Sequence, residues 1–383
     1  MPSTTLRQPW IDNLRTLVIF LVVIQHACVT YSHVGSWYVM STVLPSALQK
    51  LIFIEWEGHM QSFFMGLLFL VSGYFAIQSL QRHGPGAFIR ERLLRLGIPT
   101  LLYMLIVHPF IVLGLNPWGG QPTPPLAFFG NYLTSGKFLA STGPLWFAFA
   151  LLIFCLMLAG WHALRPLGYI DTKTKDSITG ARLIIFGAGL TLSTFLVRIS
   201  QPIGTSLINF QLCYFAQYIL AFATGVEAAR QGWLTSLARS VAARGAGQLA
   251  IILGPIALLI LLTTGDPLIN DTAYRLEGGL HIESLALADW EQFTGLGIAL
   301  GLLSWFYSRW NRQSTVLSWL SNRSFGVYFI HTPVLVAVTM TLRPLESAFN
   351  PFLLAALLAA SGLVGSYLLA DIIKRIPGLR SIL

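Results

Sequence analysis

Ile11-Asp12-Asn13-Leu14-Arg15-Thr16-Leu17-Val18-Ile19-Phe20-Leu21-Val22-Val23-Ile24-Gln25-His26 decides how this chain is read. Leu17 to Ile24 is an unbroken apolar run set between two ionisable side chains, so the stretch is the first part of a membrane helix that carries polar groups into the bilayer. Eleven residues at about 100° each return to within about 20° of the starting face and rise about 16 Å. Arg15 and His26 therefore share one stripe at different depths. Ionisable groups seldom face lipid, and one inside a membrane helix is by default a functional-site candidate.

The rest of the chain agrees with that class. Of 383 residues, 55% are hydrophobic and 10% charged, with a mean hydropathy of +0.67. An average soluble domain carries about 25% charge; this is an all-α, polytopic integral membrane protein. A net charge of +9 would suggest nucleic acid in a soluble chain. Here Lys and Arg concentrated in cytoplasmic loops account for it, and no nucleic-acid partner is expected. Cys28, Cys155 and Cys213 all fall in apolar segments as small core residues, so neither a disulfide framework nor a metal site is indicated.

Crossing a hydrocarbon core of about 30 Å takes about 20 apolar residues. Ten segments qualify, at 14–34, 61–81, 95–115, 144–164, 181–199, 206–226, 247–264, 289–308, 322–342 and 351–372. They form one membrane-embedded domain, 1–383, with external loops at about 35–60, 116–143 and 265–288. The first span runs through Gln25 and His26 without a small-residue cleavage site, so it is a retained helix and not a signal peptide. With the N-terminus cytoplasmic, only Lys50, Lys137, Arg198, Arg275 and Arg343 of the 24 basic residues fall outside. The inside segments hold the others, Arg7, Lys173, Lys175 and Arg380 among them, and the bias alternates at every loop as the positive-inside rule requires. Both termini are expected in the cytoplasm.

Trp37 to Ile54 is apolar enough to compete as a further span. Pro45 and Lys50 interrupt it, and inserting it would invert every later loop, so it is expected as an external interfacial segment. The stretch 116–143 holds Pro117, Trp118, Gly119, Gly120, Pro122, Pro124 and Pro125, which excludes a regular long helix and suggests a lid. Asp266, Asp271, Glu277 and Glu283 against Arg275 make 265–288 acidic, either a sugar-binding rim or a solvated loop. No internal repeat is evident, which counts against an inverted-repeat transporter.

His26 sits in the middle or outer half of the bilayer, with Arg15 at the cytoplasmic mouth. His331, in Tyr328-Phe329-Ile330-His331-Thr332-Pro333, falls near the midplane, where Pro333 loosens the helix one turn back. Glu55, Glu57 and His59 precede the second span and are placed to line an external opening. Blander roles fit each of these: a histidine bonded to a neighbouring helix, a snorkelling Arg15, and topogenic charge for Arg90, Arg92 and Arg95. Ser72-Gly73 fits a close helix contact.

Five landmarks in order carry a family resemblance. Arg15 followed after ten residues by His26 resembles the first-helix signature of the acyltransferase-3 superfamily. Phe63 to Phe75 is similar to its second helix, Arg92-Leu93-Leu94-Arg95 before Pro99 to its Arg-x-x-Arg motif. Gly143-Pro144-Leu145-Trp146-Phe147 and Tyr328 to Pro333 resemble later landmarks. The resemblance implies a ten-helix enzyme of a bacterial cytoplasmic membrane. It would move an acyl group, acetyl or succinyl, from cytoplasmic acyl-CoA to a hydroxyl of an extracytoplasmic glycan or small acceptor. Tyr74-Phe75 and His59 look most like the branch that succinylates periplasmic glucans.

The residue chemistry is compatible. Transfer to an alcohol needs a base, and imidazole suits that near neutrality. His26, with Arg15, is the catalytic candidate, as base or as transient acyl carrier. Arg92, Arg95 and Arg90 are candidates for the donor's phosphates, since arginine meets phosphate bidentately. His331, Tyr328, His59, Glu57, Ser72 and Trp146 are candidates for the channel or acceptor. No tightly bound cofactor is expected; acyl-CoA is a co-substrate. The competing class is a proton-coupled transporter or flippase whose path runs through Arg15, His26 and His331. The oligomeric state stays open, homo-oligomers included.

Overall fold

The computed structural model describes residues 8–115, 123–166, 168, 179–264 and 274–378. Expectations resting on 116–122, on Asp266 and Asp271, and on Arg7, Lys173, Lys175 and Arg380 lie outside them. Among the described residues the chain is helical, with no strand beyond an isolated bridge between Leu207 and Phe210.

Local chemistry sets the helix ends. Helix α1 (Pro9–Ser32) starts on a proline, whose missing amide costs nothing at that position, and stops where His33 turns left-handed at φ 55°. Helix α2 (Ala47–Arg92) opens on a reciprocal cap: the Ser46 hydroxyl accepts from the Gln49 amide at 3.3 Å and the Gln49 side chain accepts from the Ser46 amide at 2.8 Å. The stretch 47–60, expected as part of an external segment, is thus helical and continuous with the second span. Only 33–46 is left as the connecting strap.

Helix α2 breaks at Gly84, whose φ of 76° and ψ of 164° are open to glycine, followed by Pro85. The Ser79 hydroxyl lies 3.4 Å from the Glu91 carboxylate. Twelve residues of straight helix would hold those residues about 18 Å apart, so the chain folds back here.

The returning limb, 93–115 (α3), contains two π turns, Leu93–Gly97 and Tyr103–Val107, in which Ile98 reaches back to Leu93 and His108 to Tyr103. Each turn ends two residues before a proline, Pro99 or Pro109, that offers no amide to the carbonyl four residues earlier. Tyr103, which opens the second of these turns, is fully buried in the bundle.

The remaining helices are α4 (Pro125–Thr134), α5 (Trp146–Leu164), α6 (Gly180–Ser200), α7 (Phe215–Gln231), α8 (Leu234–Arg239), α9 (Val241–Thr263), α10 (Tyr274–Glu277), α11 (Ile282–Arg309), α12 (Thr315–Leu342) and α13 (Pro351–Ile373). Eight helices among the described residues are long and apolar enough to cross a membrane. One of them, Ala47–Leu115, is the hairpin folded at Gly84 and supplies two apolar limbs. Helix α11 has the length but is less apolar, with Asp289, Glu291 and Gln292 in its first half, and is not among them. With it, the expected ten segments each correspond to a helical limb.

Lipid supplies little drive for helix association, so packing depends on close backbone approach. Helices α2 and α7 interlock through Gly73 and Gly225: a Cβ on Gly73 would collide with the Phe222 carbonyl, and one on Gly225 with that of Leu70. Helix α1 packs among α2, α12 and α13. Asn13 donates to the carbonyls of Trp310 and Arg312 at 2.8 and 3.0 Å, and Thr16 meets Ser324 at 3.2 Å. These anchors run α1 and α12 in parallel, as the charge alternation requires of those two spans. Leu192, Ile251 and Ile252 point outward with more than half their surface free, a surface suited to lipid.

Candidate active site

Two helices bring two histidines together. His26 on α1 and His331 on α12 lie side by side, Nδ1 of His26 3.2 Å from Nε2 of His331 and the rings stacked 5.2 Å apart. His331 is fully buried, and its Nδ1 lies 2.8 Å from the Tyr328 carbonyl oxygen one turn earlier. A carbonyl can only accept, so Nδ1 of His331 carries the proton and its Nε2 is an acceptor. Nδ1 of His26 is then the donor, and Nε2 of His26 keeps its lone pair. The chain of donors fixes both tautomers and leaves one free base. The Tyr328 hydroxyl donates to the Pro144 carbonyl, tying α12 to the start of α5.

The strap 33–46 closes the site from the far end of α1. Trp37 stacks on His26 with ring centroids 4.0 Å apart at 22° and reaches His331 at 6.4 Å. Tyr38, the next residue, lies 2.6 Å from Nδ1 of His108 and 3.1 Å from the Tyr103 hydroxyl. Burial beside Tyr103 raises the Tyr38 hydroxyl well above the usual phenol range, so it stays a neutral donor. Gly143, at φ 50°, lies under these hydroxyls, where a Cβ would come within 2.8 Å of both. Three more hydrogen bonds hold the strap: Ser41 N to Thr30 O at 2.8 Å, and Thr42 N and Oγ1 to the buried Glu346 carboxylate at 2.7 and 2.6 Å.

Arg15 begins the same helix face, about 16 Å of rise away from His26. Its side chain is 42% exposed and pairs with Asp12 at 3.4 Å. Arg90 and Arg95 line a cavity of about 320 Å3 with Ala87, Glu91 and Leu94. Arg92 is not part of it; its guanidinium stands 4.9 Å over the Phe88 ring. Glu91 pairs with Arg95 at 3.4 Å, so the basic cluster is partly neutralised.

The other expected residues are not gathered at the histidine pair. His59 donates from Nδ1 to the Glu55 carbonyl at 2.6 Å and stands edge-on to Trp290, facing α9 and α11. Glu57 is buried on α2. Ser72 is half-buried beside the Gly73 crossing. Trp146 stacks on Tyr218 at 5.5 Å within an aromatic core that includes Phe147 and Phe215. Among the described residues, no cluster of His, Cys, Asp and Glu is arranged to hold a metal.

Sequence reading passed over two groups. Trp37, Tyr38, Tyr103 and His108 were hidden in segments read only for topology, although His108-Pro109 echoes the histidine near a proline at His331-Thr332-Pro333. Arg198, counted as a loop charge, is fully buried and pairs with Glu291 at 2.5 Å, its guanidinium 5.3 Å from the Tyr214 ring. Glu291 also accepts from Gln292 at 3.1 Å, and Gln217 joins Gln292 to the Ser62 carbonyl.

A family model described as an acyltransferase domain matches residues 8–371. The glucans biosynthesis protein C of Escherichia coli strain K12 is 24% identical over 343 residues, covering 87% of this chain and 83% of its own length. The protein of the same name from Shigella dysenteriae serotype 1 is 24% identical over the same shares. No solved structure matches the chain.

Proposed function

The chain belongs to the acyltransferase-3 family and is a membrane acyltransferase, and from that premise we propose that it transfers an acyl group from cytoplasmic acyl-CoA to a hydroxyl of an extracytoplasmic glucan. The one-way chain of donors from the His26 Nδ1 proton through His331 to the Tyr328 carbonyl carries the proposal. Its consequence is a free Nε2 on His26, placed to take the proton of an attacking hydroxyl. The relatives' name supplies the glucan.

In this reading the donor approaches from the end of the bundle where α1 starts and α2 ends. Arg90 and Arg95 meet its phosphates, and Arg15 guides the pantetheine arm toward His26. The acceptor approaches from the strap end. His26 removes the hydroxyl proton as oxygen attacks the thioester carbon, and His331 accepts a hydrogen bond from the imidazolium that forms, holding the ring in place. When the carbon–sulfur bond breaks, the same nitrogen returns the proton to the departing thiolate. Acetyl and succinyl donors both suit this sequence of steps, as does a location in a bacterial cytoplasmic membrane with both termini inside.

The test is purified protein in liposomes supplied with acetyl- or succinyl-CoA and a gluco-oligosaccharide, followed by mass spectrometry of the sugar. Mass added as one ester per transfer, and absent with His26→Ala, supports the proposal. Equal acylation by the two proteins refutes it.

A further inference from the structure

Trp37 presents a buried donor with no partner beside the base. The Nε1 of its indole has no accessible surface and makes no hydrogen bond among the described residues. A buried N–H left unpaired costs about 1–3 kcal/mol, and such groups call for an explanation in use. The ring is not loosely held: it lies nearly parallel to His26 at 4.0 Å, and the strap that carries it is bonded at Thr30 and Glu346. The donor is thus fixed on the ring that stacks against the imidazole.

We propose that the Trp37 N–H is the hydrogen-bond donor to the acyl carbonyl oxygen as charge develops there. The assignment rests on the acyl-transfer reading of the His26 site. As the acceptor oxygen bonds to the thioester carbon, the carbonyl π pair moves to its oxygen and the hydroxyl proton moves to His26 Nε2. The oxygen, now negative, takes the Trp37 hydrogen bond. When the π pair returns, the carbon–sulfur bond breaks and the thiolate takes the proton from His26. A rigid donor in a water-poor space costs no reorganisation when the charge appears, which is why such donors are worth most in closed sites. The stacked face also favours the imidazolium that forms at the same moment. One side chain then serves both charges of the tetrahedral intermediate.

Replacing Trp37 by β-(3-benzothienyl)alanine keeps the ring shape and stacking face but puts sulfur where the N–H was; Trp37→Phe is the genetically simple partner. Both are assayed in liposomes with acyl-CoA and a gluco-oligosaccharide beside the unmodified protein. Loss of one such donor lowers kcat about 10²–10³-fold in acyl-transfer sites. That loss is expected in both variants, with KM for acyl-CoA little changed and melting temperature unchanged for the isostere. An isostere with unaltered kcat overturns the donor role, as does a loss confined to KM. If the unmodified protein acylates no acceptor, the underlying reading of the site fails instead.

Discussion

His331→Ala removes the acceptor that orients the base. In the folded chain the His26 Nδ1 proton has its partner 3.2 Å away, and His331 is itself held at 2.8 Å by the Tyr328 carbonyl. Truncation leaves a buried donor unpaired at a cost of about 1–3 kcal/mol, and frees the imidazole to present the wrong nitrogen. At about 1.4 kcal/mol per decade, kcat should fall about 5- to 150-fold. Removing the base with His26→Ala forfeits the larger effect of general-base catalysis, about 10²–10⁴-fold. Because the two residues act as a unit, the double variant should be no slower than His26→Ala alone. His331→Gln, whose carbonyl oxygen can accept from the same N–H, should recover most of the activity. The assay is initial rate of ester formation in liposomes, with melting temperature in detergent checking each variant's fold. Losses that multiply in the double variant, or a His331→Gln protein as slow as His331→Ala, would refute the reasoning.

Three further expectations come from other parts of the molecule. Arg90→Ala combined with Arg95→Ala should raise KM for acyl-CoA about tenfold at low salt, since charge-assisted bonds contribute about 1.5–3 kcal/mol before solvent screening; an unchanged KM removes these residues from donor binding. Arg198→Met leaves the Glu291 carboxylate buried without its cation, which costs about 3–5 kcal/mol. It should lower the melting temperature sharply, whereas adding Glu291→Met should restore much of the loss; equal stability of the single variant and the parent contradicts this. Gly73→Ala drives a methyl into the Phe222 carbonyl, and overpacking of about 1–3 kcal/mol should show as lower melting temperature and yield.

Much of this was readable in the residues because membranes impose simple rules. Apolar runs of bilayer length located the helical limbs, and the Arg15 to His26 spacing singled out the helix whose histidine meets His331. The strap was harder. Trp37 to Ile54 is apolar enough to compete as a span, and its split into a strap and a helix depends on the Ser46–Gln49 cap and on the Thr42–Glu346 bonds, the latter between residues 304 positions apart. The meeting of His26 and His331 likewise depends on the register of α1 against α12, set by Thr16 and Ser324 and by Asn13 with Trp310. His59 and Trp146 are carried toward Trp290 and Tyr218 and not toward the histidine pair, a difference set by helix rotation that residue type does not disclose. A residue type suggests what a side chain can do; only the packing decides which neighbour it meets.

The most direct test of the central claim is vectorial. Inside-out membrane vesicles that express the protein, loaded with gluco-oligosaccharide, are given acyl-CoA labelled in its acyl group from outside, so that the donor meets only the cytoplasmic face. Label esterified to the enclosed sugar is expected, with background label for His26→Ala at equal protein. Label in the lumen that is independent of His26, or labelling only of sugar added on the same side as acyl-CoA, would contradict the claim.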